Sequence, residues 1–170
     1  MSGAFDDGEV FPDEDHDHGR CLDRALDAAA DICRERGVRL TQIRRRVLEL
    51  VWSGHRPLGA YEILDALKSE RRGAAPPTVY RALEFLLTQG LVHRIESRNA
   101  YVGCREPETP HAGQFLICGS CGLTAELNDK RIDRAIQEGA AAAGFAMAHG
   151  TIEVEGLCPH CRDSEVSVSA

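Results

Sequence analysis

The chain has no long apolar run and few aromatic side chains. Nowhere among its 170 residues do eighteen apolar residues follow one another, and aromatic residues make up only 5% of the total. Its first twenty residues are acidic, whereas an export signal begins basic and continues apolar. The sequence therefore predicts neither a membrane span nor a secretory signal, and we expect the protein in the cytoplasm without a membrane partner.

The net charge of -7 conceals an uneven distribution of charge. Residues 1–33 contain two basic and ten acidic groups, and residues 99–170 contain five basic and ten acidic groups. Residues 34–98, in contrast, contain thirteen basic and seven acidic groups. A basic region attracts phosphates through its local field, so the acidic total does not exclude a nucleic-acid partner.

Four of the seven cysteines form two CxxC pairs, Cys118 with Cys121 and Cys158 with Cys161. Each pair can present two thiolates to one ion, and four thiolates complete the tetrahedral coordination of a structural zinc site. The alternative is a pair of redox dithiols. Redox dithiols favour a cysteine at a helix amino terminus in a thioredoxin-like pattern, which neither pair is predicted to have.

The first half of the chain has the pattern of a winged helix-turn-helix domain. Apolar residues at helical spacing predict four helices, and shorter alternating segments then predict a hairpin. Thr41 is the expected N-cap of the second helix. The predicted helices span 21–36, 42–51, 59–70 and 76–89, the last with Pro76 and Pro77 in its first turn, and the predicted strands span 91–96 and 100–103.

A second, smaller α/β unit is predicted after a proline-containing connection. Strands are expected at 115–117 and 122–127, a helix at 132–143, and further strands between Phe145 and Leu157. The fold class is therefore mixed α/β, of the α+β kind. The predicted divisions are an acidic tail (1–20), a winged-helix domain (21–103), a hinge (104–114), a zinc-binding domain (115–162) and a C-terminal tail (163–170).

Several motifs together resemble the ferric uptake regulator family, specifically its zinc-sensing branch. The resemblance covers about residues 22–161 and rests on GVRLTQIRRRVLELV, PPTVYRALEFLLTQGLVHRIES, GLTAEL after the first CxxC, and AGFAMAHGTIEVEGLCPHC. It implies a winged-helix DNA-binding domain joined to a dimerisation domain. It also implies a homodimer that binds a palindromic double-stranded operator when metal fills a regulatory site at the hinge.

The resemblance further implies four regulatory ligands: His93, Cys104, His111 and Glu126. Two imidazoles, one thiolate and one carboxylate suit tetrahedral zinc, whereas iron(II) regulators favour five or six nitrogen and oxygen donors. Cys104 is thus the residue that discriminates between the metals. With the four-cysteine site, the expected cofactor is two Zn²⁺ per chain.

The chain departs from the iron-sensing members just before the first CxxC. Those members have several histidines and an aspartate there, whereas this chain has HAGQFLI at 111–117. A second sensor site is therefore not expected. His149 has only weak potential partners such as Asp133, and we expect a core or hydrogen-bonding histidine there.

The helix after Pro77 is the one expected to enter the major groove. On it, Arg81 is the candidate for reading base edges, with Thr78 and Tyr80 beside it. Contacts with the DNA backbone are expected from Tyr61, Arg44 and Arg45.

Together these features predict a zinc-dependent transcriptional repressor of zinc-uptake genes, with no enzymatic activity and no small-molecule substrate. An iron-, manganese- or peroxide-responsive regulator of the same family is the nearest alternative. A thiol oxidoreductase and a zinc-stabilised adaptor protein without an operator are alternatives from other classes.

Overall fold

The computed structural model describes residues 10–11, 18–70, 75–109 and 111–168. The described residues form two compact units: residues 18–109 are one, and residues 111–168 with residues 10–11 are the other. Most of the predicted acidic tail, residues 1–9 and 12–17, lies outside the described residues.

Four helices form the body of the first unit: α1 (His18–Glu35), α2 (Gln42–Val51), α3 (Ala60–Glu70) and α4 (Pro76–Thr88). Thr41 is the N-cap of α2 and has the extended backbone expected there, but its hydroxyl makes no capping hydrogen bond. Helix α4 begins at Pro76, as predicted, because prolines need no backbone donor in a first helical turn. In the described parts of the chain, no helix has both the length and the apolarity needed to cross a membrane.

Helices α2, α3 and α4 enclose one apolar core. The apolar positions repeat at the three-and-four spacing that brings side chains onto one helix face. Burying these side chains is the main source of the unit's stability. The most deeply buried are Val47, Leu48, Ile63, Leu67, Leu83 and Leu86.

An antiparallel wing completes the first unit. Strands β1 (Leu58–Gly59), β2 (Val92–Ile95) and β3 (Ala100–Gly103) form a sheet in the order β1-β3-β2. A single 3-10 turn, Glu96–Arg98, joins β2 to β3, and Asn99 after it has a left-handed backbone with φ 47°. The two-residue strand β1 was not predicted, but the hairpin was, and the winged-helix architecture is confirmed.

The second unit is a small three-stranded sheet with two helices. Strands β4 (Gly113–Cys118), β5 (Thr124–Glu126) and β6 (Thr151–Gly156) lie in the order β5-β4-β6, with β4 antiparallel to β5 and parallel to β6. Helix α5 (Lys130–Ala142) lies between β5 and β6 in the chain. The mixed α/β fold class is therefore confirmed.

The end of the chain differs from the prediction in two respects. More than one strand was predicted between Phe145 and Leu157. The structure has one strand there, β6, and residues 145–150 form no strand. Helix α6 (Pro159–Val168) begins inside the second CxxC and runs through most of the segment predicted as a C-terminal tail. Pro159 suits the first turn of that helix, a signal that the sequence interpretation did not use.

Candidate metal centres and nucleic-acid interface

The four CxxC cysteines meet at one point of the second unit. Cys118 ends β4, and its turn is closed by hydrogen bonds from the Cys118 amide to the Leu123 carbonyl (2.8 Å) and from the Gly122 amide to the Cys118 carbonyl (2.9 Å). Gly122 has φ +77°, a conformation that suits glycine. Cys158 immediately precedes α6, and Cys161 lies in its first turn. The turn and the helix start thus bring the two pairs together.

The sulfur positions fit a tetrahedral zinc ion. All four Sγ atoms lie within 4.8 Å of one another, and those of Cys121 and Cys158 are 3.8 Å apart. Zinc–sulfur bonds of about 2.3 Å place the sulfurs of a regular tetrahedron about 3.8 Å apart. Cys118, Cys158 and Cys161 are buried and Cys121 is half-buried, as in a site that supports folding.

The ionisation of the four clustered thiols favours a bound cation. Burial by itself would raise the pKa of Cys118, but the backbone amides of Cys121, Cys158 and Ser120 lower it to about 6. Burial raises the pKa of Cys158, which opposes ionisation of a second thiol nearby. A divalent cation offsets the repulsion between ionised sulfurs, so four convergent thiols suit a metal site.

The redox alternative requires a cysteine at a helix amino terminus within a thioredoxin-like strand–helix–strand pattern. Cys158 does lie directly before the amino terminus of α6, but among the described residues no strand follows that helix, so this pattern is not formed. The sulfur geometry also disfavours a thiol oxidoreductase. All four sulfurs converge, whereas a redox dithiol uses one pair, and no disulfide joins any of the seven cysteines, all of which are described.

Two of the predicted regulatory ligands form a buried pair in the second unit. His111 precedes β4 and Glu126 ends β5, and their Nε2 and Oε1 atoms are 2.7 Å apart. Both side chains are more than nine-tenths buried. A buried imidazole in contact with a carboxylate presents one nitrogen and one oxygen donor together, which is half of a tetrahedral site.

The other two predicted ligands form a pair in the first unit. His93 lies on β2, Cys104 directly follows β3, and their donor atoms are within 4.8 Å of each other. The Cys104 amide donates a 3.1 Å hydrogen bond to the Leu91 carbonyl, which fixes the chain where the thiol is attached. Cys104 is buried, with 3% of its surface exposed.

Position 103, beside Cys104, has no room for a side chain. A Cβ atom added to Gly103 would lie 2.1 Å from the Trp52 ring, so the indole lies directly against the backbone before the thiol. Trp52 follows α2, and the contact therefore links the helical body to the end of the wing. The sequence offered no signal for this pairing because the two residues are distant along the chain.

The region considered for a second sensor site contains Gln114, Asp133 and His149. Gln114 is buried, and its amide nitrogen donates a 2.6 Å hydrogen bond to Asp133. His149 is exposed in the irregular segment before β6, so the first of the two expected roles, a core histidine, was wrong, and a hydrogen-bonding role stays a prediction. The Asp133 carboxylate, which was the weak potential partner of His149, is therefore hydrogen-bonded to the neutral Gln114 amide.

The candidate base-reading residues lie on the exposed side of α4. Tyr80 and Arg81 are exposed and Thr78 is half-buried in the first turn, while Val79 and Leu83 face the core. Tyr61 on α3 is 72% exposed, which is unusual for a tyrosine. These four side chains are available for contact with a ligand.

The arginines of α2 differ from one another in their surroundings. Arg44 donates a 2.6 Å hydrogen bond to the Arg39 carbonyl, and its guanidinium lies 3.6 Å above the Phe85 ring of α4. Arg45 is more exposed and contacts Glu49 at 3.3 Å. Arg44 thus braces α4 through a cation–π contact, whereas the Arg45 guanidinium stays at the surface.

The matching of this chain to known proteins supports one family. Residues 35–155 match the ferric uptake regulator family. This match covers parts of both units, including α2 to α4, the wing, and all of the sheet of the second unit except the last residue of β6. The chain belongs to the ferric uptake regulator family.

Individual members of the ferric uptake regulator family resemble the chain over most of its length. It is 43% identical to the zinc uptake regulation protein of Escherichia coli K12 over 141 residues, covering 82% of each chain. It is 33% identical to the zinc uptake regulation protein of Mycobacterium tuberculosis over 129 residues, covering 74% of this chain and 96% of the relative. A solved zinc uptake regulator complexed with zinc and DNA is 41% identical, with a TM-score of 0.81, and the match covers 85% of this chain and 97% of that one.

One residue that supports the end of helix α4 was not predicted from the sequence. Arg36, just beyond α1, donates hydrogen bonds to the carbonyl of Gln89 (2.8 Å) and to its side-chain oxygen (3.2 Å). Gln89 is the C-cap of α4, so a cation is held at the carboxyl end of the candidate recognition helix. Only the tertiary packing of α1 near the end of α4 reveals this role.

Proposed function

We propose that this protein is a zinc-dependent DNA-binding repressor of zinc-uptake genes that acts in the cytoplasm. The observation that carries the proposal is the presence of two donor pairs, His93 with Cys104 on the first unit and His111 with Glu126 on the second. The similarity to zinc uptake regulation proteins supports zinc as the signal and DNA as the partner.

In this proposal the two pairs are the halves of one regulatory site. Bound zinc would supply a single positive centre that all four side chains share. His111 would offer an imidazole nitrogen and Glu126 a carboxylate oxygen to the ion, and Cys104 would offer a thiolate. Because two ligands belong to each unit, filling the site restricts the angle between the units, which shifts the population of conformations.

The four-cysteine site has a different role in the proposal. Its ligands all belong to the second unit, and its donor set is complete without solvent. Such a site contributes to folding and stays filled when the regulatory site empties. The chain would thus hold two zinc ions, one structural and one regulatory.

DNA binding is assigned to α4 and its neighbours. Arg81 would donate to a base edge in the major groove, with Thr78 and Tyr80 beside it on the same helix. Tyr61 and Arg45 would contact the backbone, and Arg44 would act by bracing α4. The basic composition of residues 34–98 adds a field that favours phosphates.

A homodimer is assigned to the exposed apolar surface of the second unit. No residue of α5, all of which are described, is buried, and β6 lies at an edge of the sheet. Exposed apolar groups and an unpaired strand edge are typical of protein interfaces. The exposed apolar side chains of this unit are Ile136, Phe145, Met147, Val154 and Leu157.

An iron-, manganese- or peroxide-responsive regulator of the same family is the second candidate. The fold and DNA interface would be unchanged. Cys104 favours zinc, because thiolates are good ligands for zinc, whereas manganese favours oxygen ligands.

The regulatory site is tested with one variant from each unit, Cys104→Ser and Glu126→Gln. Each is expected to raise the free zinc concentration needed for half-maximal operator binding by at least about tenfold, because a ligand is removed. Cys21→Ser is the matched control, since Cys21 lies half-buried on α1 outside both donor sets. Unchanged zinc dependence in both ligand variants would contradict the shared site.

A further inference from the structure

An amino-terminal phenylalanine packs against the four-cysteine cluster. Phe11 is half-buried and lies against the cluster formed by Cys118, Cys158 and Cys161. The partly buried apolar residues that pack there with it are Cys121 and Leu123. Leu123 belongs to the turn of the first CxxC, so Phe11 is the member of this group that comes from a distant part of the chain.

The contact matters because one thiol of the site is accessible. Cys121 is half-buried, whereas the other three cysteines are buried. A competing ligand or an oxidant must reach a sulfur to remove zinc or modify a thiolate, and reactivity follows exposure. The apolar shell around a metal site controls this access.

Several described neighbours of the cysteines are exposed to solvent. Helix α6 carries Cys161, but its neighbours Pro159 and His160 are exposed, and Leu157 before it is 43% exposed. Ser120, within the first CxxC, is also exposed. An aromatic side chain packed against this cluster brings a large apolar surface to a site whose neighbours are exposed.

We propose that the Phe11 side chain is a cover for the four-thiolate site. The cover slows the exchange of zinc and the oxidation of its ligands. The inference rests on the proposed zinc site at the four cysteines. It assigns a use to part of a segment that otherwise resembles only a solvated acidic tail.

The test measures the rate at which zinc leaves the four-cysteine site. A Cys104→Ser, Glu126→Gln background leaves this as the single zinc site of the full chain. Zinc transfer to excess 4-(2-pyridylazo)resorcinol is followed by absorbance, after the zinc content of each protein has been measured. Phe11→Ala is expected to release zinc roughly tenfold faster than the parent, in the range seen when groups around metal ligands are altered.

Two truncations and one conservative variant separate the ring from the tail. Removing residues 1–9 leaves Phe11 in place and is expected to keep the slow rate, whereas removing residues 1–12 is expected to give the fast rate. Phe11→Leu retains apolar cover and is expected to stay near the parent rate. Circular dichroism checks that the variants are folded.

The outcomes distinguish this inference from the proposed site. If the parent holds one zinc that is released on blocking the thiols, but Phe11→Ala releases it at the parent rate, the cover is refuted and the site stands. If both truncations accelerate release equally, the tail acts without Phe11 and the assignment of the ring is wrong. A parent that holds no thiol-bound zinc overturns the site and the cover together.

Discussion

Arg81 and Arg45 carry the same charge, but their surroundings suit different contacts with DNA. Arg81 is exposed on α4, the helix expected to lie in the major groove, whereas Arg45 is on α2 beside Glu49. A guanidinium in the groove can donate two hydrogen bonds to a guanine, and one outside the groove meets only phosphate.

Arg81→Ala and Arg45→Ala are therefore expected to differ in kind. Arg81→Ala should cost about 1–3 kcal/mol of binding to the operator and relax the preference at one base position. Arg45→Ala should weaken binding to all sequences alike and lower the salt dependence by about one released ion. Titrations of operator and unrelated DNA over a range of salt concentrations measure both effects. Equal losses on both DNAs for Arg81→Ala would remove it from base reading.

Ligand chemistry was readable at the level of single residues, whereas supporting contacts were not. The CxxC spacing predicted a cluster of four thiols because each pair lies within one turn. Phe11 and Gly103 had no such local signal, since their partners are far away in sequence. A tertiary contact of this kind becomes visible only in the folded chain.

Among the secondary-structure elements, α4 has the most direct link between packing and function. Its amino-terminal turns carry Tyr80 and Arg81, and its carboxyl end is held by Arg36. A cation at the carboxyl end of a helix also interacts favourably with the helix dipole. The orientation of this candidate recognition helix thus depends partly on a residue outside it.

Arg36→Ala is expected to reduce stability by about 1 kcal/mol, because the hydrogen bonds to the end of α4 are lost. Operator affinity should fall as well, since α4 is held less firmly. Arg34→Ala is the matched control, because Arg34 forms an exposed pair with Asp31 on α1. Urea unfolding and DNA titration measure the two effects, and an Arg36 variant indistinguishable from the Arg34 variant would contradict this role.

The long amphipathic helices were the most predictable elements, and the short ones were the least. Apolar spacing located α1 to α5 to within a few residues, because each buries or presents a continuous face. Strand β1 has only two residues and forms by pairing with β3, so no alternation of apolar and polar residues could predict it. Helix α6 has weak amphipathic character and follows from Pro159 and the cysteine turn instead.

For the whole molecule, the two units differ in what stabilises them. The first unit has an extensive apolar core, which includes residues from α1 to β3. The second has a three-stranded sheet, and its helix α5 buries no side chain. A core this small gains stability when a metal ion closes it.

Removal of zinc with a strong chelator is therefore expected to affect the units unequally. Amide hydrogen exchange should become fast in β4 to β6, while the buried segments of α2, α3 and α4 keep their protection. Re-addition of zinc should restore protection, because metal binding is coupled to folding. Uniform loss of protection in both units, or none in either, would contradict a structural role confined to the second unit.

The central claim is that zinc is the signal for DNA binding. The most direct measurement is binding of the purified protein to DNA that carries a zinc-uptake promoter, with free zinc, iron(II) or manganese(II) buffered over a wide range. Tight binding is expected with zinc at concentrations where iron(II) and manganese(II) have no effect, because the donor set includes Cys104. Equal activation by iron(II) or manganese(II), or binding that ignores all three metals, would contradict the claim.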